Sequence, residues 1–173
     1  MSLIHADSLD GFSLFVGPSD FGGTITKMKT PMPKRDLKDR RPGGTNMNLK
    51  TQHGWSLENY EFTAKGLSSV LMKVMGGRTI DAKQLFVRGA WTDEFTGQTQ
   101  TLEIEIWGRT EENDFIGELE GEEDNEGSFT FAPLQARCVY AGVEVYYYNA
   151  RTGEVRIDET DVTEAIRIAL GRS

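Results

Sequence analysis

Between Gln98 and Trp107 the chain alternates: Leu102, Ile104 and Ile106 take every second position, and Thr101, Glu103 and Glu105 fill the positions between. Successive side chains of a strand point to opposite faces, so this pattern describes a strand with one face on a core and the other presenting acids to water. Leu85 to Trp91 precedes it as a second strand, across Thr92-Asp93-Glu94-Phe95-Thr96-Gly97, a hairpin turn with glycine at its end. The same signals recur along the chain. Phe12 to Val16 and Thr24 to Met28 flank a turn at Gly17, Pro18, Gly22 and Gly23, and Trp55 to Ala64 alternates as a further strand. Phe129 to Tyr140, Val143 to Asn149 and Glu154 to Ile157 follow, with turns at Ala141-Gly142 and Arg151-Thr152-Gly153. Two segments carry helical spacing instead. Leu67, Val70, Leu71 and Val74 form one apolar face of a helix over Gly66 to Val74, stopped by Gly76-Gly77. Glu159 to Leu170 reads as an amphipathic helix with Val162, Ala165, Ile166, Ala169 and Leu170 on one face and Gly171 capping its end. Strands dominate without βαβ alternation. The expected fold is mainly β: two packed antiparallel sheets, a sandwich or partly closed barrel, with one central short helix and a C-terminal helix.

A chain of 173 residues suits one domain, residues 1–173, with enough length to bury a core. Its hydrophobic fraction of 38% excludes a mainly disordered chain. No apolar run approaches the roughly 18 residues of a membrane span, so no membrane anchoring is expected. Met1 to Asp10 lacks the apolar core of a secretory leader, and the one cysteine, Cys138, fits a reducing compartment. The formal net charge of −8 argues against tight duplex binding, because phosphate attraction dominates such affinity.

That charge is unevenly spread. Lys27, Lys29, Lys34, Arg35, Lys38, Arg40, Arg41 and Lys50 against Asp36 and Asp39 give Thr24 to Lys50 a charge of +6. Glu111, Glu112, Asp114, Glu118, Glu120, Glu122, Glu123, Asp124 and Glu126 give the segment that they span −9. Pro31, Pro33, Pro42, Gly43 and Gly44 punctuate the basic stretch from Pro31 to Met47, which shows neither helical nor strand periodicity. Unstructured segments of that length are uncommon in compact domains and are usually functional or disordered. Doubled back, it reaches about 25 Å, the dimensions of an arm. The acidic segment, at about 111–127, reads as a loop.

Chemistry is scarce. His5, His53 and Cys138 cannot close a zinc site, and Cys138 sits among alternating apolar neighbours as a small core residue. No nucleophile elbow, Walker loop or dinucleotide fingerprint is present, so no catalytic residue and no cofactor is predicted. The run Glu118-Leu119-Glu120-Gly121-Glu122-Glu123-Asp124 lacks the ligand spacing of a calcium loop, and no metal is predicted. Glu103 and Glu105 share a strand face, which leaves a small carbohydrate-active β-sandwich enzyme as a remote alternative. Tyr140, Tyr146, Tyr147 and Tyr148 invite base stacking, but three successive tyrosines alternate faces and no basic groove accompanies them. Packing in the core and at interfaces suits them better.

The order of these features carries a resemblance. Leu14-Phe15-Val16-Gly17 leads to Thr30-Pro31-Met32-Pro33-Lys34 and to Gly43-Gly44; Trp55-Ser56-Leu57-Glu58 runs on to Gly66. Phe86-Val87-Arg88-Gly89-Ala90-Trp91, Asp93 to Thr96-Gly97 and Glu103-Ile104-Glu105-Ile106-Trp107-Gly108-Arg109 fill the middle. Gly142-Val143-Glu144, Asp161 and Arg167-Ile168-Ala169-Leu170-Gly171 close it. From Phe12 to Gly171 the chain resembles the major tail tube protein of contractile-tailed bacteriophages, a family shared with contractile bacteriocins. The match rests on order and spacing rather than on one motif.

The resemblance implies a structural virion protein and no enzyme. Six copies would form a ring whose inner strands join into one barrel, and rings would stack into the tube through which the genome is ejected. The implied partners are other copies of the chain, the tail sheath protein, tube initiator or baseplate proteins and terminator proteins. Double-stranded DNA would pass through the lumen without specific binding. The implied location is the virion tail, with the host cytoplasm during assembly. A tube protein of a contractile bacteriocin or secretion machine, which carries no genome, is the alternative. On this reading Lys34, Arg35, Lys38, Arg40, Arg41, Gly43 and Gly44 form an inter-subunit arm that meets the acids between Glu111 and Glu126 of a neighbour. Glu103 and Glu105 face the lumen, where acids repel phosphate.

Overall fold

The computed structural model describes residues 7–41, 43, 47–66, 69, 71–72, 83–114 and 125–172. Its strands are β1 (Asp7–Val16), β2 (Ser19–Asp20), β3 (Ile25–Lys29), β4 (Lys34–Arg40), β5 (Leu49–Ser56) and β6 (Tyr60–Lys65), then β7 (Lys83–Asp93), β8 (Thr99–Asp114) and β9 (Glu126–Tyr140). β10 (Val143–Asn149), β11 (Glu154–Ile157), β12 (Thr160–Asp161) and a short helix α1 (Glu164–Ala169) complete the described chain.

Ten strands form one antiparallel sheet, in the order β12-β11-β10-β9-β8-β7-β1-β2, with β3 and β6 attached through β9. β4 and β5 form a separate two-stranded sheet. Among the described residues the path does not close into a barrel. The sandwich arises because the large sheet folds over on itself. β9 pairs with β6 from Glu126 to Phe131 and with β10 from Gln135 to Tyr140, so it serves one layer with each half. The exchange occurs where β8 slips register between Trp107 and Gly108 and where Pro133 opposes Gly108. Proline cannot donate to a ladder and is tolerated at such an irregularity. A Cβ on Gly108 would lie 2.1 Å from the Ala132 carbonyl oxygen, so the bend requires glycine.

Both layers feed one core. Leu14, Leu85, Val87, Ile104, Ile106 and Tyr146 meet Tyr60, Phe62, Phe129 and Phe131. Phe62 and Phe129 stack with centroids 4.6 Å apart. Ile104 and Ile106 are buried and Glu103 and Glu105 lie on the opposite face, as their alternation requires.

Several expectations need correcting. The stretch read as lacking regular structure contains β4, paired with β5 from Lys34↔Ser56 to Arg40↔Leu49. Both faces of this ribbon meet solvent, so no apolar alternation marks it. Glu111, Glu112 and Asp114, read as loop, continue β8, and Glu126 begins β9. Their backbones extend the ladder to Asp114↔Ser128, which acidic side chains pointing into water do not oppose. The strand read through Trp55 to Ala64 is two strands, broken between Ser56 and Tyr60. The C-terminal helix is shorter than read and buries none of its residues, because Thr160–Asp161 pairs with β11 and only six residues remain helical. Ile166 and Leu170, read as a core face, are 58% and 66% exposed. Of the central helix, Leu71 is described and buried; most of its span lies outside the described residues.

Candidate lumen face and assembly arm

Strand register gathers distant residues on the face of the large sheet that turns away from the core. One row runs Ser13, Arg88, Glu103, Val139, Glu144; the next runs Phe15, Phe86, Glu105, Arg137, Tyr147, Arg156; a third runs Gln84, Trp107, Gln135, Asn149, Glu154. Glu103 and Glu105 therefore stand among arginines. Arg88 Nη2 is 3.1 Å from Glu103 Oε1. Glu144 receives two guanidinium groups: Arg137 Nε and Arg156 Nε each donate at 2.8 Å. Arg156 also donates through Nη1 to Glu154 at 2.7 Å, and its guanidinium lies 4.2 Å from the Tyr147 ring centre. A β-bulge between Glu144 and Tyr146 sets the Glu144 side chain toward this face, where it is only 11% exposed. The hydrogen bond from Arg156, joined by that from Arg137, holds the Glu144 carboxyl below the usual carboxylate range despite its partial burial.

The β4–β5 ribbon carries the candidate arm residues. Lys34 pairs with Glu58 at its root, Arg35 lies over the Trp55 ring at 5.1 Å, and Ser56 Oγ donates to Asp36 Oδ1 at 2.8 Å. Lys38, Arg40 and Arg41 are exposed farther along, as are the apolar Leu37, Met47 and Leu49. Gly54, at φ 139°, forms the bulge that leaves His53 unopposed. Gly43 is exposed near the turn, and Gly44 lies outside the described residues.

The acidic candidates sit at the far end of the β8–β9 ribbon. Glu111 accepts a hydrogen bond from the Asn59 amide, and Glu126 pairs with Lys65 at 3.4 Å. Glu112 and Asp114 are exposed. Glu118, Glu120, Glu122, Glu123 and Asp124 lie outside the described residues.

The family model described as "Phage tail tube protein FII" matches residues 6–171. The chain belongs to that family. It is a structural protein of the tail tube, a component of the virion tail. A search of curated proteins returns no match. Among solved structures, the chain is similar to a chain of the anti-feeding prophage baseplate, determined by cryo-electron microscopy with six-fold symmetry imposed. The TM-score is 0.54 at 12% identity, over 80% of this chain and 95% of the other, a likeness of fold.

In this tail tube protein a buried tyrosine pair, not foreseen from the sequence, ties the segment leading into the β4–β5 ribbon to the core. Tyr60 and Tyr146 hydroxyls are 2.6 Å apart, and Tyr146 donates to the Pro31 carbonyl at 3.3 Å. Burial pushes both phenols well above their ordinary pKa. Only the pairing of β6 with β9 and of β9 with β10 brings these two strands' tyrosines together. Burial likewise pushes the Cys138 thiol up to about 11, which suits a core residue and not a nucleophile. His53 is exposed on β5, and His5 lies outside the described residues. No group of three or more metal-ligating side chains occurs among the described residues.

At the C-terminal end, Thr163 uses its hydroxyl to accept from Val155 N–H and to donate to Asp161, at 3.0 and 2.9 Å. Asp161 also pairs with Arg167. These bonds pin α1 against β11. A groove of about 630 Å³ runs between α1, the root of β5 and the β10–β11 turn, lined by Trp55, Tyr148, Ile166 and Leu170 among others.

Proposed function

We propose that copies of this chain close into six-membered rings that stack into the hollow inner tube of a contractile phage tail, the conduit for genome ejection. The observation that carries this reading is the family match over residues 6–171. The fold supports it: β1 is paired with β7 on one side, while on the other, among the described residues, only Phe15 and Val16 meet β2. An open edge of that length is a hazard in a monomer and a joint in a ring.

The outward face with Glu103 and Glu105 lines the lumen, and duplex DNA passes it without specific binding. The β4–β5 ribbon carries Lys34, Arg35, Lys38, Arg40 and Arg41 to acids of a neighbouring copy, at Glu111, Glu112, Asp114, Glu126 and the segment between. Sheath, baseplate and terminator proteins act on the finished tube, which transmits force and performs no catalysis. Assembly takes place in the host cytoplasm.

Electron microscopy of the purified protein tests this. Annular particles or tubes are expected; a stable monomer at all concentrations would sink the reading. A second reading, the tube of a bacteriocin-like machine without a genome, is equally compatible with the fold shared with the anti-feeding prophage baseplate chain. Genes for a capsid beside the coding sequence decide for the phage.

A further inference from the structure

We propose that Glu144 is a charge clamp: it occupies Arg137 and Arg156 so that the face bearing Glu103 and Glu105 does not capture a phosphodiester backbone. The inference rests on the proposal that this face lines the channel.

Acidity alone does not keep this face clear of DNA. Arg88, Arg137 and Arg156 stand against Glu103, Glu105, Glu144 and Glu154, so three positive charges nearly balance four negative ones. Arginine is a strong phosphate ligand, because its planar fork of donors matches two phosphate oxygens. A lumen studded with arginines would hold the polyanion that it must release.

The geometry eases this conflict by engaging donors, fully at Arg156 and through one nitrogen each at Arg137 and Arg88. Arg156 has three nitrogens engaged: Nε and Nη2 on Glu144 at 2.8 and 3.3 Å, and Nη1 on Glu154 at 2.7 Å. The Tyr147 ring beneath it fixes the guanidinium plane. Arg137 donates Nε to the same Glu144 carboxylate, through Oε2. One carboxylate thus holds two arginines, and the bulge at Glu144–Tyr146 sets it between them. Its depressed pKa agrees with a carboxylate that stays ionised between two cations. Arg88 is held separately by Glu103. Among the described residues of this face, Glu144 alone bonds two arginines: removing its charge frees Arg137 Nε and two of the three engaged nitrogens of Arg156, which keeps its pair with Glu154.

The test uses the full chain and a labelled duplex of about 20 base pairs at about 50 mM salt. Glu144→Gln is expected to tighten binding about tenfold over the wild type and to steepen the salt dependence by one to two phosphate contacts. Adding Arg137→Gln and Arg156→Gln to the same chain is expected to return binding to the wild-type level. Binding through the basic ribbon is common to all three proteins and cancels. A folded Glu144→Gln protein that binds no tighter, or whose gain survives loss of both arginines, overturns the clamp. A wild-type measurement stands in if that variant fails to fold. The Nε–H resonances of Arg137 and Arg156 are expected to exchange slowly and to ignore added duplex, and shifts on addition overturn the proposal. Tubes separate the clamp from the lumen assignment. If free Glu144→Gln subunits gain affinity while assembled Glu144→Gln tubes retain no DNA inside, the clamp stands and the face lies elsewhere.

Discussion

Tyr146 carries two obligations at once, accepting from Tyr60 and donating to the Pro31 carbonyl. Tyr60→Phe removes one hydrogen bond and is expected to cost about 1 kcal/mol. Tyr146→Phe strands both the Tyr60 hydroxyl and the Pro31 carbonyl, and is expected to cost about 2–3 kcal/mol. Thermal melts should show the second variant lower by several degrees, and equal losses would refute this division of roles. Glu144 and Asp161 make acid sensitivity predictable. Both carboxyls are held below their ordinary values, Glu144 by Arg156 and Arg137, Asp161 by Thr163 and Arg167 against the effect of burial. A depressed folded pKa contributes stability at pH above the unfolded value and loses it as pH falls through the folded one. Melting temperature should therefore fall from about pH 5 downward, and less steeply in Glu144→Gln. An acid limb identical in the variant would assign the effect to other carboxylates.

At the scale of elements, period-two alternation made the large sheet legible. Leu102, Ile104 and Ile106 mark their strand because one face is buried and the other wet. The same rule hid β4: Lys34-Arg35-Asp36-Leu37-Lys38-Asp39-Arg40 has water on both faces and so carries no alternation. The candidate lumen face was half legible. Glu103 and Glu105 announce an outward face within one strand, but Arg88, Arg137, Glu144 and Arg156 join them only through the register of four strand pairs. The fold-over at Gly108 and Pro133 was equally invisible, since it depends on which third strand meets each half of β9. Gly108→Ala is expected to destabilise by about 2–4 kcal/mol, because the new methyl meets backbone at Ala132 rather than a movable side chain. Chemical denaturation measures this, and a loss under 0.5 kcal/mol, about the level of an exposed substitution, would mean that the bend adjusts freely. Reversing Lys34, Arg35, Lys38, Arg40 and Arg41 together is expected to abolish tube growth while the subunit stays folded. Tubes that form regardless, or that survive about 0.5 M salt, would remove the ribbon's charges from assembly.

For the whole molecule, its function is written at its margins. The core explains why one subunit folds; among the described residues, the edge of β1 beyond Phe15 and Val16 and the exposed faces of the β4–β5 ribbon add little to that core. A strand edge left open in a monomer invites uncontrolled pairing, and closure into a ring would give it a neighbour. Sedimentation at rising concentration should show monomer giving way to a closed ring and to stacked multiples of that ring. Sizes that grow one subunit at a time instead would indicate an unclosed, helical mode of assembly.

The fold-over also has a mechanical meaning. β8 and β9 stay paired at twelve positions, from Leu102↔Tyr140 to Asp114↔Ser128, with two register shifts, across both layers of the sandwich. A pull along that ribbon loads its bonds in parallel, as shear, whereas a pull across its end opens them one after another. The layers therefore cannot slide past each other without breaking the ribbon that they share. A subunit built this way behaves as a rivet rather than a hinge, stiff along the direction in which its longest strands run.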